Sequence, residues 1–303
     1  MSIEETFTRL FDSDLSDSDL AELSGLDTEQ LALFEQTWIK IESEQRRRIV
    51  GHLVKLADEN IELDFNIIFK NRLTDPDAEV RRQAIEGLWE YEEPSLVPLL
   101  IDLLENDSSD MVQTEAAAAL GRFAMLAEHG KFDENITNSL GLALLSTISN
   151  ENKPVDIRCC ALEAFAPLSL PHVYSVISEN YHADDDSLNL SSICAMGISC
   201  DPSWLPILLE ELTNPDAERR RVAAAALGEL EEEDAVPRLA ELIYDDDTDV
   251  QISAIQALGG IGGAEARECL ELYMDDEEEA IRLAAEQALD KVGRKEDLQS
   301  FSI

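Results

Sequence analysis

Apolar and polar positions in this chain follow a helical period, and the helical stretches themselves recur. From residue 64 onward, one position opens a helix, alanine follows four residues later, and a small then an apolar residue stand at seven and eight. Val80, Val112, Ile157, Leu188, Arg219, Val250 and Ile281 occupy the opening position, and from Ile157 onward they are spaced by 31 residues each. Val112 to Ile157 spans 45, which predicts a longer helix end and loop around residues 126–138. Self-similarity at a period of 20–50 residues is the signature of stacked helical or strand repeats. Here the period within each repeat is that of a helix, and no strand pattern competes.

Each opening residue starts the second helix of a pair. The first helices are predicted at 65–73, 95–105, 134–149, 173–181, 203–212, 235–244 and 264–274, several beside a proline that a first turn tolerates. Ala84, Ala116, Ala161, Ala223, Ala254 and Ala285, with Ser192 in the remaining repeat, hold one equivalent site where only a small side chain lets neighbouring helices close. The turns before the second helices are acidic, as at Asp75-Pro76-Asp77 and Asp245-Asp246-Asp247, which caps free amides at a helix start. Upstream, Asp27 and Gln30 form a capping-box signature ahead of Leu31, Phe34 and Trp38, and a second helix carries Ile49, Leu53 and Leu56. The expected organisation is an acidic, flexible segment at 1–24, a capping helix pair at 25–63, seven repeats at 64–293 and a tail at 294–303.

Composition narrows the function more than the fold. The 303 residues hold 45% apolar side chains, so the high charge does not imply disorder. Against 23 basic residues stand 65 acidic ones, a net charge of −42. Such a field repels phosphate backbones, argues against nucleic acid, and favours a basic partner. No run is long and apolar enough for a membrane span, and the N-terminus lacks the layout of a signal peptide. Five cysteines without a CxxC make a poor disulfide framework. A cytoplasmic monomer is expected.

The run Asp75-Pro76-Asp77-Ala78-Glu79-Val80-Arg81-Arg82-Gln83-Ala84, like Asp276 to Arg282, resembles the second half of a HEAT repeat in the short form of phycobilisome-lyase-like bacterial proteins. The resemblance covers roughly residues 60–293. It implies an all-α, right-handed α-solenoid of about eight antiparallel helix pairs, with the second helices lining the concave surface. It also implies a ladder between adjacent repeats built from an Asp and the Arg six residues later. Carried onto this chain, the ladder pairs are Asp75/Arg81 and Asp276/Arg282, with Asn152/Arg158 and Asn214/Arg220 as weaker forms. Gln113 and Gln251 stand where Arg is expected.

Candidate chemistry is thin. HEAT-like hydroxylases hold iron with His-Glu pairs, and none of the four histidines here precedes a Glu. Cys159, Cys160 and Cys194 could meet across adjacent layers as a soft-metal or redox site, yet cysteine in place of alanine in a packed helix explains them too. Acidic runs lack the glycine and ligand spacing of a calcium loop. No catalytic, cofactor or metal residues are assigned. On exposed second-helix positions, Arg82, Gln83, Glu86, Glu115 and Arg221 are candidate partner contacts. Trp89, which replaces the usual glycine, is a candidate aromatic anchor. The expected function is a non-catalytic scaffold that binds another protein along the concave face, with a basic partner favoured by the charge. A bilin-lyase-like or other accessory enzyme subunit is the alternative.

Overall fold

A computed structural model describes residues 3–12 and 15–300 of the chain. Met1, Ser2, Ser13 and Asp14 of the expected acidic segment, and the last three residues of the expected tail, lie outside the described residues. The chain divides into two compact units, Met1–Thr147 and Ile148–Ile303, so the boundary falls inside the array predicted at 64–293.

The first unit holds α1 (Ile3–Arg9), α2 (Asp17–Ala21), α3 (Thr28–Trp38), α4 (Ser43–Glu59), α5 (Asn66–Arg72), α6 (Ala78–Gly87), α7 (Val97–Asn106), α8 (Asp110–Glu128) and α9 (Glu134–Ser149), which ends at the boundary. Helices α4, α6 and α8 lie side by side, with α5 packed on α6 and α7 on α8. The second unit holds α10 (Val155–Phe165), α11 (Val173–Tyr181), α12 (Asp186–Ile198), α13 (Leu205–Glu211), α14 (Ala217–Leu230), α15 (Val236–Leu242), α16 (Thr248–Ile261), α17 (Gly263–Glu271) and α18 (Glu279–Ser300). Here α10, α12, α14, α16 and α18 form one row, and α11, α13, α15 and α17 each pack on the helix that follows. Both units are therefore stacked helix pairs of α-solenoid type, without a strand among the described residues. No helix among those residues is long and apolar enough to cross a membrane.

Local chemistry sets the helix starts. Asp77, Asp185 and Asp247 each accept two amides of the first turn, and Asp216 accepts one. Two residues earlier, Asp75, Asp107, Asn214, Asp245 and Asp276 accept the amide two positions on, so many of the acidic turns are paired side-chain-to-backbone turns. The Asp27–Gln30 capping box closes reciprocally, as the sequence predicts. The insertion takes the form of a long α8 and a turn with Gly130 at φ 71°, after which Asp133 caps α9. Phe132 of that turn stacks on Phe123 with ring centroids 5.8 Å apart.

The small residues explain how closely the second helices approach. The alanine site is fully buried wherever it occurs, with Ser192 equally so. The tightest contacts lie further along. Gly197 faces Ala226, Gly228 faces Ala257, and Gly259 faces Ala288, each so near that an added Cβ would sit 2.6–2.8 Å from the neighbour. A residue of positive φ then follows or ends the second helix at Cys200, Glu231 and Gly262, again 31 residues apart.

At the ends the structure departs from expectation. The described part of residues 1–24, expected as a flexible segment, holds α1 and α2, with Phe7 and Leu20 on them, and Leu10 and Leu23 just beyond them, buried. Asp19 is itself buried, pairing with Arg9 and closing a capping box with Ser16. Helix α18 runs past residue 293 into the expected tail.

Candidate partner-binding face

Arg82 is the centre of the second-helix face in the first unit. It lies 2.8 Å from Glu79 and 3.1 Å from Glu86 on its own helix, and 3.6 Å from Glu115 on α8. Burial pushes the Glu115 carboxyl upward, an effect the Arg82 charge opposes. Gln83 leans the other way, its amide lying over Gly51 of α4. Arg82 thus ties α6 to α8, while Gln83 packs toward α4.

Trp89 follows directly on the C-cap of α6 and is 66% exposed. Arg122, from α8, stacks on its ring at 5.6 Å and on Phe123 at 4.7 Å. The same guanidinium donates to the main-chain oxygens of Leu88 and Tyr91, so it caps the end of α6 from the next repeat. Burial lowers the Arg122 pKa from its ordinary value, and the Glu92 charge opposes this.

The ladder is wired differently from the pairing the resemblance implies. Arg81 donates to the main-chain oxygen of Asp75, not to its carboxylate, and holds the Asp107 carboxylate of the next repeat at 2.7 Å. The Asp75 carboxylate is taken by Arg46 at 2.8 Å and by the Trp38 indole at 2.7 Å. Arg220 repeats the scheme, with the Asn214 carbonyl at 2.8 Å and the Asp245 carboxylate at 2.7 Å. Arg282 donates to the Asp276 carbonyl. Arg158 donates to the Ile148 carbonyl at 2.9 Å, where Asn152 was the expected partner. Gln113 and Gln251 keep the main-chain bond, to Asp107 and Asp245. Arg81, Arg220 and Arg282 thus reach the carbonyl six residues back as Gln113 and Gln251 do, and Arg81 and Arg220 also span to an aspartate of the next repeat.

Arg219, Arg220 and Arg221 all have acidic partners. Arg221 meets Glu218 at 2.7 Å on the exposed face. Arg219 takes an apolar position of the repeat, and it does so by pairing with Glu211 at 2.8 Å, itself only 5% exposed. Tyr181 donates to Glu211, and burial together with that carboxylate raises the phenol to about 12. Nothing in the repeat pattern signals this cluster except the charged residue at an apolar site.

The cysteines are half-buried except Cys200, which is exposed. Burial raises the Cys159 and Cys194 thiols to about 11, so both are protonated at neutral pH. Glu163 lies nearby, hydrogen-bonded by Ser191, and its own burial raises its pKa. Among the described residues no three His, Cys, Asp or Glu side chains are grouped to hold a metal ion.

The family comparison agrees with this architecture. The family model described as HEAT repeats matches residues 68–130 and 205–290. One of those stretches lies in each unit, and each has the sequence pattern of HEAT repeats. Similar solved structures include YibA of Escherichia coli, at 19% identity and TM-score 0.46, covering 79% of this chain and 96% of YibA. Human deoxyhypusine hydroxylase in complex with glycerol matches at 19% identity and TM-score 0.31, with 96% of each chain covered. An engineered protein matches at 17% identity and TM-score 0.42, covering 96% of this chain and 88% of that one. None of the curated proteins matches the chain.

Proposed function

We propose that this chain is a non-catalytic interaction module that binds a partner protein along the face of its second helices, the side expected to be concave. The observation that carries this reading is the network around Arg82, which holds Glu79, Glu86 and Glu115 in fixed positions on two neighbouring helices. Side chains ordered before binding lose little entropy when a partner arrives, which leaves more of the contact energy as affinity. The exposed Trp89 at the end of α6 supports it, since aromatic residues rimmed by polar groups dominate interface energetics. A chain of net charge −42 steers basic partners toward it and repels acidic ones.

Affinity capture with the full chain from a native cytosolic extract, followed by a salt titration, tests the proposal. The expected result is one protein retained in stoichiometric amount and released as salt rises, because exposed charge pairs are screened. A stoichiometric chromophore or transition metal on the purified protein would instead favour the accessory-enzyme reading.

A further inference from the structure

Between the C-terminal halves of α4 and α6 lies a groove of about 700 Å³. Val54 and Asp58 form one wall, Glu86 and Trp89 the other, and Phe65 and Phe69 the floor. Its depth depends on a glycine, because a Cβ at Gly87 would come within 2.6 Å of the Phe69 ring. The mouth carries Ile61, which is 87% exposed. Around these rings stand the carboxylates of Asp58, Asp64, Glu86 and Glu90, with Lys55 as the basic lining residue. Lys55 lies 3.6 Å from Glu59, which offsets its charge.

Resting on the partner-binding reading above, we propose that this groove docks a partner segment bearing one large apolar side chain between lysines or arginines. The volume falls within the range of about 300–1,000 Å³ typical of ligand sites. The apolar floor and the indole exclude water around one aliphatic or aromatic side chain, and the acidic rim pairs with the flanking cations. The anchor at Trp89 is apolar, not cationic, because Arg122 already stacks on that ring and would repel a second cation there.

The test uses the full chain and a fluorescein-labelled, end-blocked peptide, Lys-Arg-Phe-Lys-Arg, followed by anisotropy. Its control is the same peptide with serine in place of phenylalanine. The phenylalanine peptide is expected to bind about tenfold more tightly or better, the scale set by burying one large apolar side chain. Trp89→Ala and the pair Asp58→Asn/Glu90→Gln, all at exposed positions, should each weaken it about tenfold. Asp275→Asn/Glu278→Gln, exposed acids of the second unit, should change it less than about twofold. Trp38 and Trp204 are buried, so saturable quenching of tryptophan emission in the native protein reports on Trp89. Equal affinity for both peptides, or binding unaffected by Trp89→Ala, overturns the proposal and leaves only a diffuse charge field. The partner-binding reading is judged separately by capture: a captured partner still held by Trp89→Ala sinks the groove alone.

Discussion

Arg81 holds the carboxylate of Asp107 through two bonds of 2.7 Å while a third nitrogen donates to the main-chain oxygen of Asp75. The two side chains are only 10% and 5% exposed, so neither charge has water to fall back on. Arg81→Ala should therefore cost about 3–5 kcal/mol, the usual result of stranding one member of a buried pair. Arg81→Gln should lose less, because Gln113 and Gln251 show that an amide at this position still reaches the carbonyl. Urea unfolding of both variants, together with Arg81→Ala/Asp107→Ala, would reveal the coupling. Strictly additive losses would argue against the rung.

The cluster of Arg219 and Glu211 makes the opposite kind of test. One repeat later the same two positions are Leu242 and Val250, both buried. Arg219→Val alone should cost about 3–5 kcal/mol by leaving Glu211 unpaired in the core. The double variant Glu211→Leu/Arg219→Val copies the following repeat and is expected to match or exceed the native stability. A double variant weaker than either single change would mean that the two repeats differ in backbone, not merely in side chains.

Opposite signs are expected for alanine at two helical glycines. Gly228→Ala drives a Cβ to 2.8 Å from the Ala257 backbone and should cost about 1–3 kcal/mol. Gly293, inside α18, has nothing within 4 Å, so Gly293→Ala should stabilise by about 0.5–1 kcal/mol through helix propensity. Thermal melting of both variants side by side checks the pair.

Much of this fold is legible because it is local. The 31-residue spacing, the buried alanine site and the Asp27–Gln30 box depend on residues a few places apart, where helical geometry leaves little choice. The ladder is not local. Arg81 has aspartates six residues back and 26 residues ahead, and only the packing of α6 beside α8 decides that the second receives the ion pair. Arg219 hides its role for the same reason, since its partners Glu211 and Tyr181 lie on α13 and α11. The N-terminal acids looked solvated because their pattern hides Leu20 and the Arg9 that Asp19 meets. Exposure of Trp89 follows from α6 ending two residues earlier, a boundary that pattern alone does not set.

Glu163 supplies a pH test. Burial raises its folded-state pKa, so its protonated form favours the native state, and that contribution is lost as pH rises through the raised value. Glu163→Gln keeps an oxygen for Ser191 to donate to and carries no charge. The variant should be more stable than the native chain at pH 7, by on the order of 1 kcal/mol. The gap should close as pH falls below the ordinary glutamate value, about 4.3, where both side chains are neutral. A gap independent of pH would show that the charge is not responsible.

Thiol labelling separates the cysteines. At pH 8, N-ethylmaleimide should modify the exposed Cys200 first. Cys159 and Cys194, raised to about 11, should resist until the protein is denatured. Peptide mapping by mass spectrometry reads the order directly.

The glycine-on-alanine contacts at Gly197/Ala226, Gly228/Ala257 and Gly259/Ala288 are the same joint made three times. Excising residues 229–259 would bring Gly228 opposite Ala288, and the new joint would have the shape of the one removed. A 31-residue module could therefore be lost or gained at these joints with the glycine-on-alanine contact preserved.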